Sequence, residues 1–396
     1  MRFGCLALVL LAACATPAPV APPPSYDENA MCANVPADSP SCRLDATDVG
    51  EVEALAVLAG KDLAAVRAGD RFTVFARVAA EEANVCCSLQ GPMTRIGQTQ
   101  LFAARYRLAN LDEAALTFIP PACLTGQRSC NFDEALRWFG PAAPPPPAVV
   151  AEIRGERFER TLWSERLQET RRIYFYLPPG YDRTQQYPAL FMADGASVMV
   201  LAPLIERLIL GGAIAPIVLV GAGSGQESIV EDRSSLGIAD FRSADYLPGY
   251  EGAGDRYEQH LRFFTEELVA YATREFNISE DRNRRAVTGF SNGGSFSVFA
   301  ALRRPDVFGA SLPLSPSWRR LTDEDFSQPQ RARFFMSAGL YEIRRQRRAS
   351  QYAEALRAQG YDVVMDVPVM GHDRDQESLM LARFLPQVFP ASDPGR

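Results

Sequence analysis

"RRAVTGFSNGGSFSVFAALRR", residues 284–304, decides how the larger part of this chain folds. The apolar run up to Phe290 reads as a buried strand, and the stretch after Ser291 has helical spacing and stops just before Pro305, which cannot continue a helix without loss. Between strand and helix lies the pattern Gly289-Phe290-Ser291-Asn292-Gly293. A glycine–x–serine–x–glycine match is weak by itself, because glycines and small polar residues cluster in ordinary loops. Strand, tight turn and helix together form the context of a nucleophile elbow. The turn is so sharp that the serine takes a strained backbone conformation, and side chains at Gly289 and Gly293 would collide with the neighbouring strand and helix. Ser291 is thereby lifted above the sheet, while the helix N-terminus and the backbone N–H of Asn292 face the place where an oxyanion would form.

A serine hydroxyl is a poor nucleophile near neutral pH and needs a base within hydrogen-bond reach. The chain holds two histidines, His260 and His372. His260 lies before the nucleophile in an amphipathic helix and reads as a helix-surface or edge residue. His372, in "VPVMGHDRDQ", sits in a loop between the strand "YDVVMDVPV" and the last helix, so position and elimination make it the base. The third partner is expected after a later strand, in the chain order serine, acid, histidine. "ARFFMSAGLYE" supplies a strand, a glycine turn and Glu342, which would accept the Nδ1 proton of His372 and fix its tautomer. Asp373 and Asp375 stand too close in sequence to turn onto His372.

Outward from this core, strands alternate with helices from about residue 151, the order that builds a mainly parallel sheet covered on both faces. "RRIYFYLPPGY", "YPALFMADG" and "APIVLVGAG" are strands, the last a continuous apolar run expected of a strand buried on both sides. Leu261, Phe264 and Leu268 recur at helical spacing from Tyr257 to Phe276. Before a proline-rich linker at residues 141–150, "DRFTVFARVA", "NVCCSLQ", "TQLFAARYRL" and "AALTFIP" read as short strands of a small β-sandwich-like domain, residues 31–140. "EVEALAVLAGKDLAAVRAG" reads as one amphipathic helix broken at Gly60.

The first 13 residues, with one arginine and a short apolar run, have the layout of a secretory signal and are too short for a stable membrane span. Leu11-Ala12-Ala13-Cys14 resembles a bacterial lipobox, which implies a lipid on Cys14 and, with Ala15 following, sorting to the outer membrane. A second proline-rich linker, residues 14–30, would hold the protein off the membrane. Of eight cysteines, Cys5 leaves with the leader and Cys14 takes lipid. Cys32, Cys42, Cys86, Cys87, Cys123 and Cys130 remain, an even set confined to the first domain, which fits disulfides in an oxidising compartment. Their connectivity is open; adjacent Cys86 and Cys87, pointing to opposite faces if on a strand, are expected to bridge to different partners. The spacings do not suit a metal site. A net charge of −7 argues against nucleic-acid binding.

The stretches "RRIYFYLPPGYD", "YPALFMADG", "RSADYLPG", "VTGFSNGGSFSVFAALRRPDVFGASLPLSPSW", "SAGLYE" and "GHD" together resemble an esterase family of the α/β-hydrolase superfamily that includes enterochelin and feruloyl esterases. The resemblance implies an α/β-hydrolase domain over residues 151–396, with Ser291 as nucleophile, Glu342 as acid and His372 as base. It implies a second oxyanion donor in the turn after Asp194, the N–H of Gly195 or Ala196. It also places Arg242 and Trp318 near a substrate pocket, against the plainer readings of an ion pair with Asp245 and a packed indole. The "RRQRR" run after Glu342 reads as a solvated helix face. The expected activity is hydrolysis of a small-molecule ester, a siderophore ester in its most specific form. Feruloyl or acetyl esterase action on polysaccharide is the alternative, and an inactive hydrolase-fold binding protein the second. No cofactor or metal is implied.

Overall fold

The computed structural model describes residues 29–124, 134–227, 238 and 240–391. The leader, Cys14, most of the first linker and Cys130 lie outside them. Among the described residues no helix is long and apolar enough to cross a membrane.

The N-terminal region runs through β1 (Ser41–Leu44), α1 (Glu51–Leu58), β2 (Leu63–Ala68), β3 (Arg71–Arg77), β4 (Asn84–Val85), β5 (Gly91–Pro92), β6 (Thr94–Arg95), β7 (Leu101–Leu108), β8 (Ala115–Phe118), α2 (Pro121–Leu124) and β9 (Leu136–Phe139). Its main sheet has the order β1-β7-β3-β2, with β6 added to β7, and β8 pairs with β9. The long helix expected over residues 51–69 is half strand. Ala59 turns left-handed at φ 47 and its N–H closes on Leu55, ending α1. The chain then returns as β2, antiparallel to β3 from Leu63↔Ala76 to Ala68↔Arg71. The ladder satisfies every second backbone group and buries Leu63 and Ala64, which outweighs the modest helix preference of leucine and alanine.

Cys32 and Cys42 form a disulfide across a 5.0 Å Cα separation. Cys86 and Cys87 are bonded to each other, not to separate partners. The opposite-faces argument fails because β4 ends at Val85: Cys86 lies outside any strand and Cys87 makes only an isolated bridge to Phe118. Cys123 is disulfide-bonded.

The C-terminal region continues with β10 (Glu156–Ser164), β11 (Glu169–Leu177), β12 (Ala189–Ala193), α3 (Ser197–Leu210), β13 (Val218–Ala222), α4 (Phe241–Tyr246), α5 (Arg256–Arg262), α6 (Val269–Phe276), β14 (Arg285–Phe290), α7 (Asn292–Arg303), β15 (Ala310–Leu314), β16 (Arg333–Ser337), α8 (Ile343–Ala358), β17 (Val363–Asp366) and α9 (Arg374–Val388). A π-helical turn, Phe263–Leu268, joins α5 to α6. The eight-stranded sheet has the order β10-β11-β13-β12-β14-β15-β16-β17. The β10–β11 and β11–β13 pairs are antiparallel, and every pair from β13–β12 to β16–β17 is parallel.

Strand pleat separates two cores. In β12, Ala189, Phe191 and Ala193 face the core shared with α5, α6, α7 and α8, whereas Leu190 and Met192 face the one shared with α3 and α9. Helix α7 is buried along nearly its whole length. Its Phe296 and Phe299 each contribute about 2–3 kcal/mol by leaving water, and so clamp the turn at its start.

Candidate active site

Ser291 occupies the turn between β14 and α7 with φ 60 and ψ −119, a left-handed conformation uncommon for a side-chain-bearing residue. The surroundings enforce it. The Ser291 N–H donates to the Leu314 carbonyl of β15 at 2.9 Å. A Cβ on Gly289 would stand 2.4 Å from the Gly293 carbonyl, and one on Gly293 would stand 2.9 Å from Asp194 Oδ2. The backbone N–H of Asn292 is the first of α7 and has no acceptor within the helix. Its side chain donates to Ser243 Oγ at 2.9 Å.

His372 lies in the loop between β17 and α9, its side chain 15% exposed, and its ring stacks on that of Phe290 at 4.5 Å. Phe290 is the residue before Ser291, so this stack brings the imidazole to the nucleophile turn. His372 Nδ1 is 2.5 Å from Glu342 Oε1. A proton on Nδ1 donated to Glu342 leaves Nε2 as an acceptor, the form a general base requires. Burial pushes the imidazole pKa down and the Glu342 charge pulls it back up; the net value lies below the ordinary one, so the ring is neutral near pH 7.

Glu342 is buried at the N-cap of α8. Its second oxygen, Oε2, accepts from Gly339 N–H at 2.6 Å, Ser315 Oγ at 2.7 Å and Gln376 Nε2 at 3.0 Å. Burial alone would raise its pKa, but the charge and hydrogen bond of His372, with Arg345 and Ser315, hold it below the usual carboxylate value. Ser315 and Gln376 are functional residues that sequence reasoning missed. The signal available was faint: Ser315 directly follows β15, the strand neighbouring the elbow, with φ 51, and Gln376 lies one turn beyond His372.

Helix α4 organises the other side of the site. Arg242 makes a two-pronged pair with Asp194, Nε to Oδ1 at 2.6 Å and Nη2 to Oδ2 at 2.7 Å, and also donates to the Phe290 carbonyl at 3.2 Å. It therefore does not pair with Asp245, the partner that sequence proximity suggested. Asp245 is fully buried between Arg171 at 2.8 Å and Arg256 at 2.7 Å. Burial would raise its pKa, but these guanidinium groups hold it at about 2. Asp194, at φ 59, donates its N–H to Tyr246 Oη at 2.8 Å. Arg242, Ser243 and Tyr246 thus hold the Asp194 turn, the Phe290 carbonyl and the Asn292 side chain from one short helix. Gly195 is not an available oxyanion donor, because its N–H is spent on the Ala222 carbonyl at 2.9 Å. Of the two N–H groups expected from this turn, that of Ala196 remains the candidate. Trp318 is half-buried, donating to the Pro248 carbonyl at 2.8 Å with its ring 6.0 Å from that of Tyr250. It comes from the segment between β15 and β16 and packs against the segment that follows α4.

His260 departs from the reading of a helix-surface residue: it is completely buried, among Tyr246, Phe263, Phe264 and Phe296. The π-helical turn that begins at Phe263 belongs to the same buried helix. Burial drives its pKa to about 3, so it is neutral.

The N-terminal region also reaches the site. Ser88, Leu89 and Gln90 line a small cleft together with Tyr341, Arg345 and His372. Arg345, within the "RRQRR" run, therefore faces the site and not bulk solvent alone.

Residues 164–357 match the model of a family described as "Putative esterase". Uncharacterized protein YbbA of Bacillus subtilis is 28% identical over 188 residues, 46% of this chain and 72% of that protein. Among solved structures, the enterochelin esterase of Shigella flexneri superposes with a TM-score of 0.58 at 18% identity, covering 83% of this chain and 95% of that one. The ferulic acid esterase Fae1A of Anaeromyces mucronatus gives 0.52 at 17% identity, covering 63% and 96%. At these identities the likeness is one of fold.

Proposed function

We propose, on the match of residues 164–357 to an esterase family, that the chain is an α/β-hydrolase-type serine esterase that hydrolyses carboxylic esters through an acyl-enzyme. His372 Nε2 takes the Ser291 proton as Oγ attacks the ester carbonyl, and the imidazolium returns it to the departing alcohol. The N–H groups of Asn292 and Ala196 receive the negative charge of the tetrahedral intermediate. Water, deprotonated by the same histidine, then releases the acid and regenerates Ser291. The observation that carries this reading is the 2.5 Å bond between Glu342 and His372, with the His372 ring stacked on the residue that precedes a strained serine.

The substrate we assign is a siderophore-type ester. The fold likeness to enterochelin esterase extends over both regions of the chain, which supports it. Feruloyl or acetyl esterase action on polysaccharide is the second reading, favoured by the fold likeness of the C-terminal region to Fae1A. Hydrolysis rates on a trilactone siderophore, methyl ferulate and acetylated xylan decide between them. The trilactone is expected to turn over at least about 10-fold faster, a preference of only about 1.4 kcal/mol in the transition state. Faster cleavage of methyl ferulate or xylan would reverse the assignment, and no turnover of any ester would leave a binding protein.

The same reading takes residues 31–140 as a disulfide-bonded β-sandwich-like domain and residues 151–396 as the hydrolase domain with a mainly parallel sheet. It places the protein outside the cytoplasm, anchored through lipid on Cys14 to the outer membrane and facing the periplasm. The Cys32–Cys42 bond supports an oxidising compartment. Mass spectrometry of the mature N-terminus tests the anchor: an unprocessed leader or an unmodified Cys14 would contradict it.

A further inference from the structure

The loop that carries His372 is not held by the C-terminal region alone. Ser88, from the N-terminal region, is 3% exposed, and its hydroxyl donates to Asp373 Oδ2, the residue next to His372. Ser88 Oγ in turn accepts the Thr117 N–H at 2.7 Å. Asp373, 5% exposed, uses its other oxygen to accept the Gln376 N–H at 2.9 Å, and the Gln376 side chain reaches Glu342 Oε2 at 3.0 Å. One continuous hydrogen-bonded path therefore runs from Thr117 through Ser88, Asp373 and Gln376 to the acid that orients His372.

Backbone packing fixes the same junction. Gly371, directly before His372, lies against the Ser88 peptide so closely that a Cβ there would stand 1.7 Å from the Ser88 carbonyl oxygen. On either side, the Ala115 N–H donates to the Val369 carbonyl at 3.1 Å, and Asp375 Oδ2 accepts from Thr117 Oγ1 at 2.6 Å and Arg137 Nε at 2.9 Å. The Arg137 ion pair is partly exposed and lies outside the Ser88–Asp373–Gln376 path.

We propose that Ser88 is a positioning residue for the reaction: the N-terminal region, through Ser88 and Asp373, sets the position of His372 and Glu342, so the catalytic centre is complete only when the two regions are docked. The loss of the Ser88 hydroxyl would leave one buried carboxylate oxygen of Asp373 and the buried Thr117 N–H without their partner, and the histidine loop would shift to compensate. A displacement of less than 1 Å suffices, because proton transfer from Ser291 depends on a hydrogen-bond distance. The proposal rests on the reading of His372 as the base.

The test compares the full mature chain with S88A, S88T, D373N, R137A and S291A variants on a short-chain 4-nitrophenyl ester, with thermal melting of each. S88A and D373N are expected to lower kcat by about 10- to 100-fold with KM within about 3-fold of the unsubstituted protein. S88T, which keeps the hydroxyl, is expected to recover kcat to within about 5-fold, and R137A to stay within about 2-fold. Unchanged kcat in S88A and D373N overturns the proposal, as does a loss confined to KM, or one that R137A shares in full. If S88A does not fold, D373N and S88T decide by the same criteria. Turnover by S291A would sink the esterase reading itself, whereas inactive S291A beside fully active S88A and D373N sinks this proposal alone.

Discussion

The two histidines are surrounded by similar groups but are held in different ways. His260 is fully buried and His372 half-buried, each has a buried carboxylate nearby, and each lies close to aromatic rings. At His372 the carboxylate is within a 2.5 Å hydrogen bond and the ring borders a cleft. At His260 the nearest carboxylate oxygen, Asp245 Oδ2, is 3.8 Å away and already bonded to Arg171 and the Gly225 N–H. The carboxylate beside His372 is left with one oxygen for the imidazole, whereas the one beside His260 is saturated by cations. Burial beside a carboxylate is therefore not enough to make a base; an unclaimed lone pair and access to the nucleophile are needed.

The largest expected effect breaks this comparison if it fails. H372A is expected to lower kcat/KM by roughly 10⁴-fold or more, whereas H260F, which leaves an apolar ring in an apolar pocket, is expected to stay within about 3-fold. Steady-state kinetics on a nitrophenyl ester measure both. A folded H260F without activity would mean that the buried histidine contributes to the chemistry after all.

Next in size is Arg242. Its bonds to Asp194 and the Phe290 carbonyl make it a support for the oxyanion turn and the elbow, so R242Q is expected to cost about 10- to 100-fold in kcat with little change in KM. If KM rises instead and kcat holds, Arg242 contacts substrate, as its resemblance to siderophore esterase positions implies.

The smallest effect concerns pH. On the proposed mechanism the neutral form of His372 is the base, and burial lowers its pKa from 6.5, so kcat/KM is expected to fall only as pH drops below about 6.5. An acid limb centred above that value would indicate that the Glu342 charge outweighs burial.

What the sequence made legible was local. The strand, glycine turn and helix around Ser291 are contiguous, and steric need dictates their residues. The reading that placed Glu342 after the glycine turn of a strand used the same kind of short-range signal, and the structure brings that carboxylate to His372. What escaped depends on partners far away in the chain. Arg242 and Asp245 are three apart on α4, yet Arg242 reaches Asp194, 48 residues away, because Asp245 is drawn inward by Arg171 and Arg256. The Gly195 N–H is lost to a carbonyl that only the register of β12 and β13 brings near. Residues 63–68 became a strand because β3 was available to pair with them, and Ser88 gains its role from a residue 285 positions later. None of these contacts leaves a periodic trace.

The claim beneath all of these predictions is that Ser291 is a nucleophile. Incubation with a fluorophosphonate, followed by peptide mass spectrometry and by turnover of a nitrophenyl ester, tests it directly. A single adduct on Ser291, with neither labelling nor turnover in a folded S291A protein, is the expected result. Undiminished turnover by S291A, or an adduct on another residue, would contradict it.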